Sequence, residues 1–211
     1  MIEYKLNNFR LGLCGTHRVG KTTLAEHVSE RLELPFIKTE ASELFKTHCL
    51  KPDKPITPLV RLSIQTEILA LSLNKWERFS AFITDCTPLD FISSLLMDYD
   101  QNNMNEELEE AYSRYIEHCF AATNQFFSSI VLVPQGVTMT REDASLSITP
   151  NYLNKQETLV RGLLTDSRLI SSKYSIDGKE QDLDARGDAV IRTVLKNLRK
   201  AKKMLDTQVI H

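Results

Sequence analysis

Apolar and polar positions along this chain fall into two alternating rhythms, one suited to buried strands and one to helices. Phe9-Arg10-Leu11-Gly12-Leu13-Cys14 is short and apolar enough for a buried strand. Leu24, Val28 and Leu32 then recur every four residues, so a helix is predicted from about Thr22 to Arg31 or a little beyond. Pro35 to Thr39 reads as a second short strand, and Ala41 to Phe45 as a helix. Lys51 to Pro58 is a proline-rich surface connection, not a domain boundary, because no core-sized block precedes it. From Leu59 to Trp76 a helix is predicted with Leu62, Leu69, Leu73 and Trp76 on one face, and Arg61 and Gln65 as solvated polar residues on the outer face. The alternative places Arg61 and Gln65 above a pocket, where they would read a nucleobase or a phosphate.

Ser80 to Thr84 is the third strand, and Ile92, Leu95 and Leu96 form the buried stripe of the helix after it. Asp98 to Asn105 is a polar loop. Glu106 to Ala121 is helical, with Leu108, Tyr112, Tyr115, Ile116 and Cys119 on one side, and Phe127 to Val133 is the fourth strand. Gln135 to about Gln156 has little periodicity and is read as a lid spanning about residues 135–160. Gln156 to about Leu164 is helical, a fifth strand lies within Arg168 to Gly178, and Val190, Ile191, Val194, Leu195 and Leu198 stripe a last helix from Leu183 onward. Strands alternating with helices predict an α/β fold with a parallel sheet, here as one domain over residues 1–211.

The strand-to-helix junction at the start carries the sharpest chemistry. Gly15-Thr16-His17-Arg18-Val19-Gly20-Lys21-Thr22-Thr23 fits G-x-x-x-x-G-K-S/T, the phosphate-binding P-loop, and it lies between a strand and a helix as that motif requires. Its glycines let the backbone turn and approach phosphate, and its N–H groups face the anion at the positive helix end. Lys21 is expected at the β- and γ-phosphates and Thr22 Oγ1 on Mg²⁺. Asp85 ends the third strand, as a second ligand orienting that metal would. Asp90 is either a second functional acid or part of a helix cap. Glu40 follows the second strand, at the sheet edge where ligands bind, and is read either as an acceptor-contacting base or as a helix N-terminal carboxylate. Arg141, within the excursion, is the favoured lid arginine, and Arg161 the second candidate, each read either as neutralising charge on a transferred phosphoryl group or as a plain surface arginine.

Charge and cysteines narrow the partners. A net charge of −2 and a pI near 6.2 give no global basic field, so nucleic acid is not the expected bulk partner, despite Arg192, Lys196, Arg199, Lys200, Lys202 and Lys203 on the last helix. The four cysteines form no C-x-x-C pair, so neither a zinc site nor a redox motif is signalled, and a reducing cytoplasm is expected. Met1 to Arg10 carries no secretory signal, and no apolar run is long enough to span a bilayer.

Gly15 to Thr23, the Thr84-Asp85 to Asp90 segment and the arginine-bearing excursion together resemble a P-loop kinase of the nucleoside and nucleotide kinase group. The first two pieces are similar to small AAA-like ATPase/kinase proteins often found in phages, near the kinase part of nicotinamide riboside kinases. In that group Asp-Arg commonly follows the third strand, whereas Cys86 stands here in place of the arginine. The resemblance implies a three-layer sandwich with a five-stranded parallel sheet, the P-loop strand at its centre and a lid. It implies ATP with Mg²⁺ as donor, a nucleoside or nucleotide acceptor, and a homodimer as a common assembly. The chain's small size, the lid-like excursion and the absence of an N-K-x-D motif favour a kinase over an ATPase or nucleotide-binding switch. A kinase acting on a base in DNA is the narrowest alternative.

Overall fold

The structure, a computed structural model, describes residues 8–50, 56–136 and 149–208, with side chains as far as residue 200. Five strands form one parallel sheet: β1 (Arg10–Cys14), β2 (Phe36–Ile37), β3 (Phe82–Thr84), β4 (Ser129–Leu132) and β5 (Ser172–Ser175), in the spatial order β2-β3-β1-β4-β5. β1 is central, with Gly12 opposite Thr84 on one side and opposite Ile130 on the other. The α/β three-layer arrangement expected from the sequence is therefore present. The helices are α1 (Lys21–Leu32), α2 (Ala41–Thr47), α3 (Pro58–Trp76), α4 (Pro88–Met97), α5 (Glu106–Phe126), α6 (Pro150–Thr165) and α7 (Leu183–Gln208).

Successive strand residues point to opposite faces, and both faces of β1, β3 and β4 are buried, as parallel crossovers require. Leu11, Leu13, Ile83 and Val131 pack with Leu24 and Val28 of α1 and Val190 and Val194 of α7. Phe82, Ile130 and Leu132 face the other way, onto Trp76 of α3, Leu95 of α4, Phe120 of α5 and Val160 of α6. Trp76 fills the space beneath the sheet, stacked on Phe82 at 6.2 Å and edge-on to Phe127 at 5.0 Å. All strand carboxyl ends thus meet along one edge, where the functional residues collect.

Two helix boundaries and one helix face differ from the sequence expectation. α6 begins at Pro150, not near Gln156, because Thr149 Oγ1 accepts the Tyr152 N–H and Pro150 occupies the first turn. The expected excursion is therefore partly helical, and its residues 137–148, including Arg141, lie outside the described residues. α5 runs past Ala121 to Phe126, which stays on the buried face with Tyr112, Tyr115 and Cys119. On α3, Arg61 and Gln65 are not solvated: they are 3% and 2% exposed, on the buried face with Ile64, Ile68 and Trp76.

Candidate functional site

β1 delivers the chain into the glycine loop, and α1 begins at Lys21 directly after it. Gly15 has φ 144°, and a Cβ there would lie 2.3 Å from the Val133 carbonyl oxygen, so no side chain fits. Arg18, though not a glycine, is also left-handed at φ 63°. Among the described residues no side chain caps the start of α1, and no acid lies in its first turn. The helix therefore presents uncapped N–H groups and its positive end to the cleft, the arrangement that binds a phosphate.

Lys21 Nζ donates to the Gly15 and Thr16 carbonyls, at 2.7 and 2.6 Å. It stands 4.0 Å from Asp90 Oδ1. Thr22 Oγ1 donates to Asp85 Oδ2 at 2.6 Å, and Asp85 Oδ1 accepts the Thr39 N–H at 3.1 Å. The ends of β2 and β3 are thereby tied to the first turn of α1. Thr22 and Asp85 together present oxygens only, the donor chemistry that suits Mg²⁺ bound by one or two protein groups with phosphate oxygens completing the shell.

Asp90 serves as both cap and anchor. Its Oδ2 accepts from the Thr87 N–H and hydroxyl, both at 2.8 Å, closing the capping box of α4. Its Oδ1 accepts the Gly15 N–H at 2.9 Å, so the same carboxylate fixes the first residue of the loop. Burial raises its pKa above the ordinary 3.8, against the opposing pull of Lys21 and the three hydrogen bonds. Two further side chains hold the loop. Gln156 Oε1 of α6 accepts the His17 N–H at 3.1 Å, and Arg186 of α7 donates to the Val19 carbonyl at 2.7 Å. Crowding by neighbouring atoms, then the Lys21, Arg61 and Arg18 cations, push the His17 imidazole down to about 4. The residue is nevertheless exposed, so the three cations carry more weight there than burial.

The cleft extends beyond the loop to a volume of about 400 Å³. Phe45, Arg61, Gln65, Ile68, Phe91 and Tyr152 also line it. The Arg61 guanidinium lies over the Phe45 ring, 5.1 Å from its centroid, and pairs with Asp98. Gln65 Oε1 is buried, and among the described residues no donor reaches it. Cys86 also lines this cleft, and burial, then the Asp90 carboxylate, raise its thiol pKa well above 9.0.

Of the expected site residues, the loop, Lys21, Thr22 and Asp85 converge. Glu40 does not join them. It stands at the start of α2 with its carboxylate 2.7 Å from Lys75 of α3, and the cleft is lined by its neighbours Thr39 and Ala41 instead. Arg161 lies on α6 paired with Glu157 at 2.6 Å, also outside that cleft. Arg61 and Gln65 line the cleft, as the less favoured of their two sequence readings had them, whereas Gln156 and Arg186 were not assigned to the site from sequence.

No protein-family model and no curated protein matches the chain. Solved structures do. A deoxyadenosine kinase from M. mycoides, with dCMP and dCDP bound, superimposes with a TM-score of 0.61 at 15% identity, over 89% of this chain and 99% of that one. A thymidylate kinase from Candida albicans gives 0.60 at 13%, over 91% of this chain and 94% of that one. NadR protein in complex with NR gives 0.67 at 13%, over 91% of this chain and 51% of that one. At such identities the likeness concerns the fold, and the fold of this chain is that of the P-loop kinases.

Proposed function

We propose that this protein transfers the γ-phosphoryl group of ATP to a nucleoside or nucleotide. The observation that carries the acceptor half of this reading is the Gln65 Oε1, buried in the lining of the P-loop cleft and without a donor among the described residues. A buried acceptor without a donor costs about 1–3 kcal/mol, which a ligand N–H would recover. A carboxamide can accept from and donate to one base edge, and Phe45, Phe91 and Tyr152 offer flat or apolar surfaces beside it. Two of the solved structures with this fold are named as kinases of a nucleoside and a nucleotide, which supports the same class of acceptor.

The donor half follows from the loop. The N–H groups at the start of α1 receive the phosphates. Lys21 exchanges the Gly15 and Thr16 carbonyls for the β- and γ-oxygens, where its charge offsets what develops in transfer. Thr22 and Asp85 would hold Mg²⁺, which supplies further charge neutralisation when bound. Glu40 reaches an acceptor only if its exposed pair with Lys75 opens, and such pairs are worth about 0–1 kcal/mol. Arg141 is the proposed lid arginine. The test is kinetic. Gln65→Leu should raise the acceptor KM at least about tenfold, the scale of one lost polar contact, with the ATP KM unchanged. An unchanged acceptor KM for every nucleoside or nucleotide tried removes Gln65 from the acceptor site. ATP consumption with no phosphorylated product would favour an ATPase or switch instead.

A further inference from the structure

Arg186 lies in the second turn of α7, is only 6% exposed, and sends its guanidinium across to the P-loop. One terminal nitrogen donates to the Val19 carbonyl at 2.7 Å. The other nitrogen would stand 3.3 Å from a Cβ on Gly20, which has none and sits at φ 76°. The guanidinium therefore rests directly against the Val19–Gly20 peptide. That peptide is trans, so its N–H points opposite to its C=O. With the Val19 oxygen drawn back toward α7, the Gly20 N–H is directed away from α7, and Gly20 lines the cleft while Arg186 does not.

The charge itself is unusual. Asp182 caps α7, accepting the Ala185 N–H at 2.8 Å, so Arg186 is a cation near the positive end of a helix, where cations are disfavoured. Among the described residues no carboxylate forms a salt bridge with it, and a buried, unpaired charge is costly to the fold. Burial lowers its pKa, opposed by a more distant Glu180. In the ligand-free fold that charge meets the Val19 carbonyl but no carboxylate among the described residues, and it gains a counter-charge when an anion arrives on the far side of the same peptide.

We propose that Arg186 is a positioning residue for phosphate: it aims and polarises the Gly20 N–H toward the bound nucleotide and supplies positive field from behind the loop. The inference rests on the P-loop binding nucleotide phosphates, and it does not depend on which acceptor is used. A role in stability alone makes the opposite prediction. Removing the guanidinium would then lower the melting temperature and leave affinity intact.

The test compares the parent protein, Arg186→Met and Arg186→Lys. Titration calorimetry measures ADP and inorganic tripolyphosphate binding, and melting is followed with and without ADP. Arg186→Met should melt close to the parent without ligand, yet bind both probes roughly ten- to a hundredfold more weakly, the range for losing one charge-assisted contact. Its ADP-induced rise in melting temperature should shrink accordingly. Arg186→Lys, which keeps the charge, should recover part of the affinity. Undiminished binding by Arg186→Met overturns the inference and leaves the P-loop reading standing. If Arg186→Met is too unstable to assay, Arg186→Lys binding both probes no better than tenfold below the parent while melting normally still supports it, and parent-like binding by that variant overturns the need for a guanidinium. A parent protein that binds neither probe overturns both the inference and the P-loop reading.

Discussion

Asp90→Asn replaces one oxygen of a carboxylate that accepts three hydrogen bonds: from the Gly15 N–H at 2.9 Å, and from the Thr87 N–H and hydroxyl at 2.8 Å each. An amide retains one oxygen and brings two donors. Whichever way it turns, either Gly15 or Thr87 loses its acceptor and faces an N–H instead. The Thr87 hydroxyl can rotate to accept, but a backbone N–H cannot. One buried donor left unmatched costs about 1–3 kcal/mol. Burial of a charge is relieved in exchange, but Lys21, 4.0 Å away, loses its nearby anion, so the mismatch decides the sign. For a chain of this size each kcal/mol lowers the melting temperature by about 2–4 °C, so thermal unfolding should shift down by roughly 2–12 °C. Acid gives a second readout. The folded pKa of Asp90 lies above the unfolded value, so the native state takes up this proton first. Wild type should therefore gain stability relative to Asp90→Asn as pH falls through the folded pKa toward 3.8, and that gain should be absent above it. Denaturant unfolding of both proteins across that window measures the difference. A melting temperature within a degree of wild type, with a stability gap flat in pH, would refute the anchoring role of Asp90.

Other substitutions test the remaining parts. Lys21→Ala should abolish phosphoryl transfer and weaken ADP binding while the protein stays folded, because Nζ meets two loop carbonyls and, at 4.0 Å, Asp90, but fills no core. Asp85→Asn should raise the Mg²⁺ concentration for half-maximal activity, and an unchanged metal dependence would leave Asp85 as a structural link between Thr22 and Thr39. Glu40→Gln distinguishes its two positions: strong loss of transfer with intact ADP binding places it on the acceptor, and no loss leaves it as the surface partner of Lys75. Arg141→Ala should lower the turnover rate by about a hundredfold with little change in ADP affinity if that arginine acts in the transition state.

Much of the architecture was legible because both rhythms were clean. The P-loop is a local motif, so its strand, turn and helix could be read from one contiguous stretch, and Asp85 followed from its place at a strand end. What escaped depended on side-chain direction or on distant chain segments. α3 carries apolar residues on more than one side, with Leu59 64% and Leu71 45% exposed, so periodicity alone chose the wrong face for Arg61 and Gln65. Their spacing of one helical turn was visible, but their burial was not. Topology placed Glu40 at the correct edge of the sheet, but its rotamer is set by Lys75 on another helix. Of the two alternatives for Asp90 the cap is present, and its other oxygen holds Gly15, a contact that neither alternative named. Arg186 lies 167 residues from Val19, and nothing near it in sequence signals a loop partner.

The most direct measurement of the central claim follows the fate of the terminal phosphate. The protein is incubated with γ-labelled ATP and Mg²⁺ and a panel of deoxynucleosides, their monophosphates and nicotinamide riboside. Products are separated and weighed by mass spectrometry. The account predicts that label appears on at least one panel member, heavier by one phosphoryl group, and that Lys21→Ala abolishes this product. Label released only as inorganic phosphate, at a rate unaffected by any member of the panel, would contradict it.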